Sequence, residues 1–271
     1  MARLRIFTAA LAAAVLAGCA ARPDPGKTGA LLNALQNTAA LTDYAVVSHT
    51  VMEVGNGQDG DGLSVTQRFW RTGEDAMQKM TACDAAGAAL FENGAALLDG
   101  VYYWYDGKTW TPDTTGMAAA ANLNWVPKVT WPESTGGFTL QQKGDTYTVT
   151  FRPSAFPSLI QAQVDALSAE ADALRRQGFP EEAAAREAQR DSAAQAEYKA
   201  LRYTIQVEGD RAVNCTTYSK VVQPSVAGLD AAGIEAQQMV TSEITYTWQL
   251  TGTDPDQIRA ILAEVTADAR G

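Results

Sequence analysis

Two hydrophobic spacings divide this chain, and their order constrains the fold more than any other feature. Apolar residues recur at every second position over residues 42–151, switch to helical spacing over 153–200, and return to period two over 201–250. Period two marks strands with one face inward, and a 3.6-residue period marks helices. The strand segments are short and divided by turn residues, as at Gly55-Asn56-Gly57, Thr72-Gly73-Glu74, Asn93-Gly94, Asp106-Gly107 and Lys143-Gly144-Asp145. Such spacing predicts an antiparallel meander rather than βαβ crossovers. Strands are expected over 44–52, 63–71, 75–83, 88–91, 95–98, 101–105, 109–111, 138–142, 147–151, 201–207, 212–222 and 240–250.

The interruption reads as a helical hairpin. Phe156, Leu159, Ile160, Val164, Leu167, Ala171 and Leu174 follow one helical face, Gly178 suits a left-handed cap, and Pro180-Glu181-Glu182 opens a second helix. Proline in the first turn and acids near the N-terminus both favour a helix start. The first helix has an apolar stripe for the sheet, while the second is mostly alanine and charge and should be largely solvated. A short helix is expected over 28–38, capped by Thr28. A C-terminal helix should follow Asp254-Pro255, with Ile258, Ile261, Leu262 and Val265 inward. Residues 228–238 read as a loop or one helical turn. The fold class is therefore α+β, with an antiparallel sheet of about 9 to 11 strands.

The N-terminus carries a separate signal. Arg3 and Arg5 precede the apolar stretch Ile6-Phe-Thr-Ala-Ala-Leu-Ala-Ala-Ala-Val-Leu16, and Leu16-Ala17-Gly18-Cys19 follows. A charged start with an apolar run of about 11 residues fits a signal peptide, and falls short of the roughly 20 residues of a spanning helix. Leu16-Ala17-Gly18-Cys19 resembles the lipobox of bacterial lipoproteins. That resemblance implies cleavage after Gly18 and acylation of the Cys19 thiol by palmitate-type chains, two of which hold a protein stably at a membrane. The organisation expected is a signal peptide over 1–18, a lipidated Cys19 and tether over 19–27, and one α+β domain over 28–271. The hairpin is inserted at 153–200.

Charge and motifs narrow the function. The net charge is −10, and becomes −12 without Arg3 and Arg5. Such a chain repels phosphate backbones and offers no basic stripe, so nucleic acid is not an expected partner. Hydrophobic residues make up 46% of the chain, enough for a core and too many for a disordered stalk. His49 is the only histidine and lies mid-strand, so no metal set forms around it. Asp59-Gly60-Asp61-Gly62 lacks the closing Glu of a calcium loop and reads as a turn. Gly-x-Ser-x-Gly, His-Glu-x-x-His and Ser-x-x-Lys patterns are missing, so neither an enzyme nor a cofactor is expected. Cys83 and Cys215 remain as two buried thiols or as a disulfide, which an exported chain can form.

The residues most suggestive of binding are aromatic. In Val101-Tyr102-Tyr103-Trp104-Tyr105, alternation sends Tyr102 and Trp104 to one face and the others to the opposite one, with Trp110 beyond the turn. The order of lipobox, tether, short helix, meander, aromatic strand with Asp106-Gly107-Lys108-Thr109-Trp110, helical insert and returning strands resembles the LolA/LppX-type envelope lipoproteins. Residues 44–54, Phe69-Trp70-Arg71 and 102–110 are similar in character to the LolA-like lipoproteins of Gram-positive bacteria.

The resemblance implies a strongly curved antiparallel sheet, an incomplete barrel, with helices on its concave side and a hollow that holds acyl chains. It departs from the family in its longer, more polar hairpin. The site expected on this basis is Tyr102, Trp104, Trp110, Phe156, Ile160, Val164 and Leu167, binding a lipid or other hydrophobic ligand outside the cytoplasm. The alternative is a protein–protein module, an envelope sensor or regulator of the kind RseB-like proteins build on the same fold, with the hairpin as its contact surface.

Cys19→Ala should abolish fatty-acid labelling and either release the protein from membranes or block its processing. Labelling that persists in this variant would overturn the lipoprotein assignment.

Overall fold

The computed structural model describes residues 24–55, 62–121, 123–127, 129, 137–229 and 235–269. The signal segment, Cys19 and Asp59-Gly60-Asp61 lie outside them. Eleven strands hydrogen-bond into one antiparallel sheet: β1 (Asp43–Gly55), β2 (Gly62–Thr72), β3 (Asp75–Asp84), β4 (Ala89–Leu98), β5 (Val101–Tyr105), β6 (Trp110–Pro112), β7 (Phe138–Lys143), β8 (Thr146–Phe151), β9 (Glu197–Glu208), β10 (Arg211–Leu229) and β11 (Glu235–Gly252). Their order is β6-β5-β4-β3-β2-β1-β11-β10-β9-β8-β7. The first six strands step outward from the middle to one edge, and the last five step inward from the other. First and last strands meet at the centre, and the sheet is not closed into a barrel.

Helices are α1 (Pro25–Ala39), α2 (Met117–Ala120), α3 (Phe156–Gln177), α4 (Pro180–Ala194) and α5 (Pro255–Asp268). Helix α1 begins three residues before the expected Thr28 cap. Asp24 accepts hydrogen bonds from the backbone N–H of Gly26 (2.8 Å) and Lys27 (3.4 Å), and Pro25 takes the first helical position, so the cap is Asp24. Thr28 is instead buried on the helix. Helix α3 ends as expected at Gly178, whose φ of 90° lets its N–H reach back to Arg175 and Leu174. Asp254 caps α5 by accepting from the N–H groups of Asp256 and Gln257. Residues 228–238 are mostly strand rather than loop, since β10 runs to Leu229 and β11 starts at Glu235; residues 230–234 lie outside those described.

The chain forms two compact units. The first draws its described residues from Met1–Leu32, Lys128–Thr204 and Tyr218–Ser242. Within it, α3 and α4 pack along each other as the expected hairpin. Phe151 meets Tyr203 edge-on at 5.0 Å between ring centroids and Phe138 at 6.2 Å, which builds an aromatic core on β7, β8 and β9.

The second unit spans Asn33–Pro127, Ile205–Thr217 and Glu243–Gly271. Its meander β1–β6 has two faces, separated by strand alternation and by register. Ala45 opposes Trp70, Trp70 opposes Met77, Met77 opposes Ala96, and Ala96 opposes Tyr103, so these five share one face. Helix α5 covers that face with Ile258, Leu262 and Val265 against Met77, Ala96, Leu98 and Trp110. The other face carries Tyr44, Val46, Phe69, Ala76, Ala95 and Trp104, and the segment after β6 lies over part of it through Ala118 and Leu123.

One expected turn is a strand. Residues 88–91 and 95–98 do not turn at Asn93-Gly94; β4 runs straight through, and Gly94 is where the Trp110 ring comes close to the backbone. A Cβ at Gly94 would sit 2.7 Å from the Gln78 carbonyl oxygen and 3.1 Å from Trp110 Cη2. Glycine inside a strand marks such an approach as readily as a turn. Lys79 Nζ stands 4.5 Å from the Tyr105 ring centroid and 5.7 Å from that of Trp110, and Asp268 accepts the Trp110 N–H at 2.8 Å. Gly94→Ala should therefore cost about 1–3 kcal/mol by overpacking, since the Gln78 carbonyl cannot withdraw. Urea unfolding of the variant with unchanged stability would contradict this packing.

Candidate functional site

The aromatic residues singled out from sequence do not form one lining. Trp110 pairs with Tyr105 and is buried under α5, whereas Trp104 is half-buried on the opposite face with Ala76, Ala95, Ala118 and Leu123. Strand alternation forces this split, because Trp104 and Tyr105 are neighbours in sequence. Tyr102 shares the Trp104 face but is exposed near the sheet edge. In the other unit, Phe156 is buried against Tyr198, with ring centroids 5.8 Å apart, and the Tyr198 hydroxyl donates to Gln163 Oε1 at 3.2 Å. Ile160, Val164 and Leu167 are only half-buried; Leu159 and Ala171 are the fully buried partners of Phe156 along α3. The hairpin's charges pair with one another: Arg175 with Glu187 at 2.6 Å and with Asp172 at 3.2 Å, Arg186 with Glu170 at 3.3 Å. The Arg175–Glu187 and Arg186–Glu170 pairs run between the two helices.

The second unit brings together a cluster that sequence reasoning missed. On the Trp104 face, Tyr44 stacks at 5.8 Å from Trp125 and accepts the Trp125 backbone N–H at 3.0 Å. Trp125 meets Trp248 edge-on at 5.0 Å. Ser48 follows Tyr44 and Val46 on the same face of β1, and is buried. Tyr246 stands beside Trp125, Ser48 and Cys215, and burial holds its hydroxyl above its ordinary value. Burial does the same to Tyr44. The Tyr246 hydroxyl hydrogen-bonds both Ser48 and the Trp125 indole, whereas the indole N–H of Trp248, at 0% exposure, reaches no acceptor among the described residues. A buried donor left open is unusual, since the great majority of buried polar groups are paired.

Beyond this cluster the same face turns apolar and opens. Thr50, Met52 and Val54 continue the Tyr44 face along β1. Register places Leu63 and Val65 of β2, Met80 and Ala82 of β3, and Phe91 of β4 beside them. Met52, Leu63, Val65 and Met80 are half-buried, and Phe91 is 47% exposed. A register shift between Ala82 and Cys83 throws Leu90 outward as well, at 56%. The opposite face of these strand ends is polar, with His49 bonded to Thr66 at 3.0 Å and Thr81 beside it. Among the described residues no three His, Cys, Asp or Glu side chains gather to hold a metal, and no helix is long and apolar enough to cross a membrane.

Cys83 and Cys215 are free thiols, so the disulfide reading gives way to that of two separate thiols. Strands β2, β1 and β11 stand between Cys83 on β3 and Cys215 on β10, whereas a disulfide needs its Cα atoms within about 7 Å.

No family model matches the chain, and neither does any curated protein. Among solved structures it is similar to Rv2717c from M. tuberculosis, at 9% identity over 81% of this chain and 98% of that one, with a TM-score of 0.22. It is also similar to a DUF1329 family protein from Desulfovibrio piger ATCC 29098, at 12% identity over 83% of this chain and 92% of that one, with a TM-score of 0.24.

Burial pushes the Cys215 thiol from 9.0 up to about 12. Below pH 9 the folded and unfolded chains both keep this proton. Between pH 9 and 12 only the unfolded chain releases it, so stability falls as pH rises through that window. Native protein at pH 8 should resist iodoacetamide at Cys215, and Cys215→Ala should flatten the alkaline loss of stability. Rapid alkylation of native Cys215 would contradict its burial.

Proposed function

We propose that this chain is a membrane-tethered, extracytoplasmic lipoprotein that binds the acyl chain of a lipid on one face of its sheet and catalyses no reaction. The observation that carries this is the group of apolar residues Met52, Leu63, Val65, Met80 and Phe91 on one face, half-buried to exposed beside a fully buried core on the same strands. A soluble domain that leaves such a strip accessible loses the free energy of burying it, about 25 cal/mol for each Å². A bound hydrocarbon recovers that energy. From the level of Met80 to that of Met52 and Leu63 the strip runs about 13 Å along the strands, enough to seat part of an extended acyl chain. Methionine at two of its positions suits a flexible ligand, because its side chain adapts to irregular apolar shapes. The tether reading adds a reason for the location: lipid on Cys19 would hold the strip near a membrane that supplies the ligand.

Val65→Glu places a charge at the centre of the strip while keeping a strand residue half-exposed. The wild-type protein should bind a fluorescent fatty acid, and this variant should bind it at least tenfold more weakly with unchanged far-UV circular dichroism. Equal binding by the variant, or none by the wild type, would contradict the assignment.

A further inference from the structure

Resting on that reading, we infer that Met80 is an oxidation site through which peroxide empties the acyl site, its sulfoxide being held by the amides of Gln67 and Asn93. Register places Ser48, Gln67, Met80 and Asn93 in one row across β1, β2, β3 and β4, on the face that bears the strip. Met80 is the apolar member of this otherwise polar row, and it is half-buried, within reach of a small oxidant. Gln67 Nε2 already donates to Met80 Sδ at 3.6 Å. A thioether is a weak acceptor and leaves the amide donor poorly matched. A sulfoxide oxygen is a strong acceptor, and the side chains directly opposite it on both neighbouring strands are amides, close enough to interact. The oxidised side chain is thus better partnered in this row than the reduced one. Met52, the other methionine of the strip, is opposed on β2 by Leu63 instead of an amide, and Met77, at 2% exposure, is closed to oxidant.

The step balances with hydrogen peroxide as the oxidant. A sulfur lone pair attacks one peroxide oxygen, and the S–O bond forms as the O–O bond breaks. The departing hydroxide takes the proton of the transferred oxygen and leaves as water. Sulfur is oxidised by two electrons and the peroxide is reduced by two. A polar, chiral side chain now stands where a flexible apolar one stood, and sulfoxide reductases return it to the thioether with a dithiol as reductant. Met80 marks the inner end of the strip. A hydrocarbon laid along Val65 and Met80 must then displace water from the sulfoxide, and affinity falls.

The test treats the full chain in mild detergent with hydrogen peroxide, maps oxidation by peptide mass spectrometry and measures binding of a fluorescent fatty acid. Met80 should gain one oxygen, and binding should weaken about tenfold, as a polar group set against hydrocarbon requires. Saturating oleate should slow oxidation of Met80 and leave that of Met239, 51% exposed on β11, unchanged. Met80→Leu should bind the probe and keep binding it after peroxide, whereas Met52→Leu should stay sensitive. Sulfoxide reductase with dithiothreitol should restore binding to the oxidised wild type. Gln67→Leu should lower the melting temperature of the oxidised protein more than that of the reduced one; equal losses overturn the role given to the amide. If protein oxidised at Met80 binds as tightly as reduced protein, or if Met52→Leu is protected and Met80→Leu is not, the switch is overturned while the acyl-binding reading stands. If untreated wild type binds no probe, that reading fails and the switch with it. The wild-type comparison decides the matter even if a variant does not fold.

Discussion

The pairing of β1 with β11 in the centre of the sheet is the contact on which the rest depends. It joins the first strand to the last across some two hundred residues, and Thr251 marks it by donating its hydroxyl to the Ala45 carbonyl at 3.1 Å. A contact of that sequence separation carries a large loop-closure cost, so it forms only when both sides of the sheet are already worth having. Its consequences are local and specific. It carries Trp248 and Tyr246 to the face that bears Tyr44 and Ser48. It also launches α5 from the end of β11 onto the opposite face, where Ile258, Leu262 and Val265 seal Trp110. One face of the meander is thereby covered by α5, and the other carries the cluster around Trp125.

That asymmetry gives the site its character. The helix face is closed by shape: Gly94 admits the Trp110 ring, Lys79 lies over it, and Asp268 takes its backbone N–H. On the Trp104 face the same strands carry a half-buried apolar strip, and Trp248 beside them keeps a buried indole N–H without an acceptor among the described residues.

Much of the architecture was legible in the sequence because it is written locally. Alternation in Val101-Tyr102-Tyr103-Trp104-Tyr105, the Pro180 and Gly178 punctuation of the hairpin, and the Asp254-Pro255 start of α5 each act within a few residues, and each predicted its element. What failed was non-local or ambiguous. Gly94 looked like half of an Asn-Gly turn because its actual reason, the Trp110 ring, arrives from sixteen residues away. Thr28 looked like a cap although Asp24 does that work one turn earlier. The cluster around Trp125 was not legible, because Trp125 sits in a stretch without period and Trp248 and Ser48 look like ordinary strand residues. Only the β1–β11 pairing brings these three together, and no local pattern encodes it.

The central claim, that this face holds an acyl lipid, is tested most directly by native mass spectrometry of the protein exported and purified from its membrane fraction. The account predicts a bound species with the mass of one acyl-chain lipid, lost on collisional activation and reduced in abundance in Val65→Glu. Wild-type protein that carries only its covalent N-terminal modification, and still takes up no lipid when incubated with a membrane extract, would contradict it.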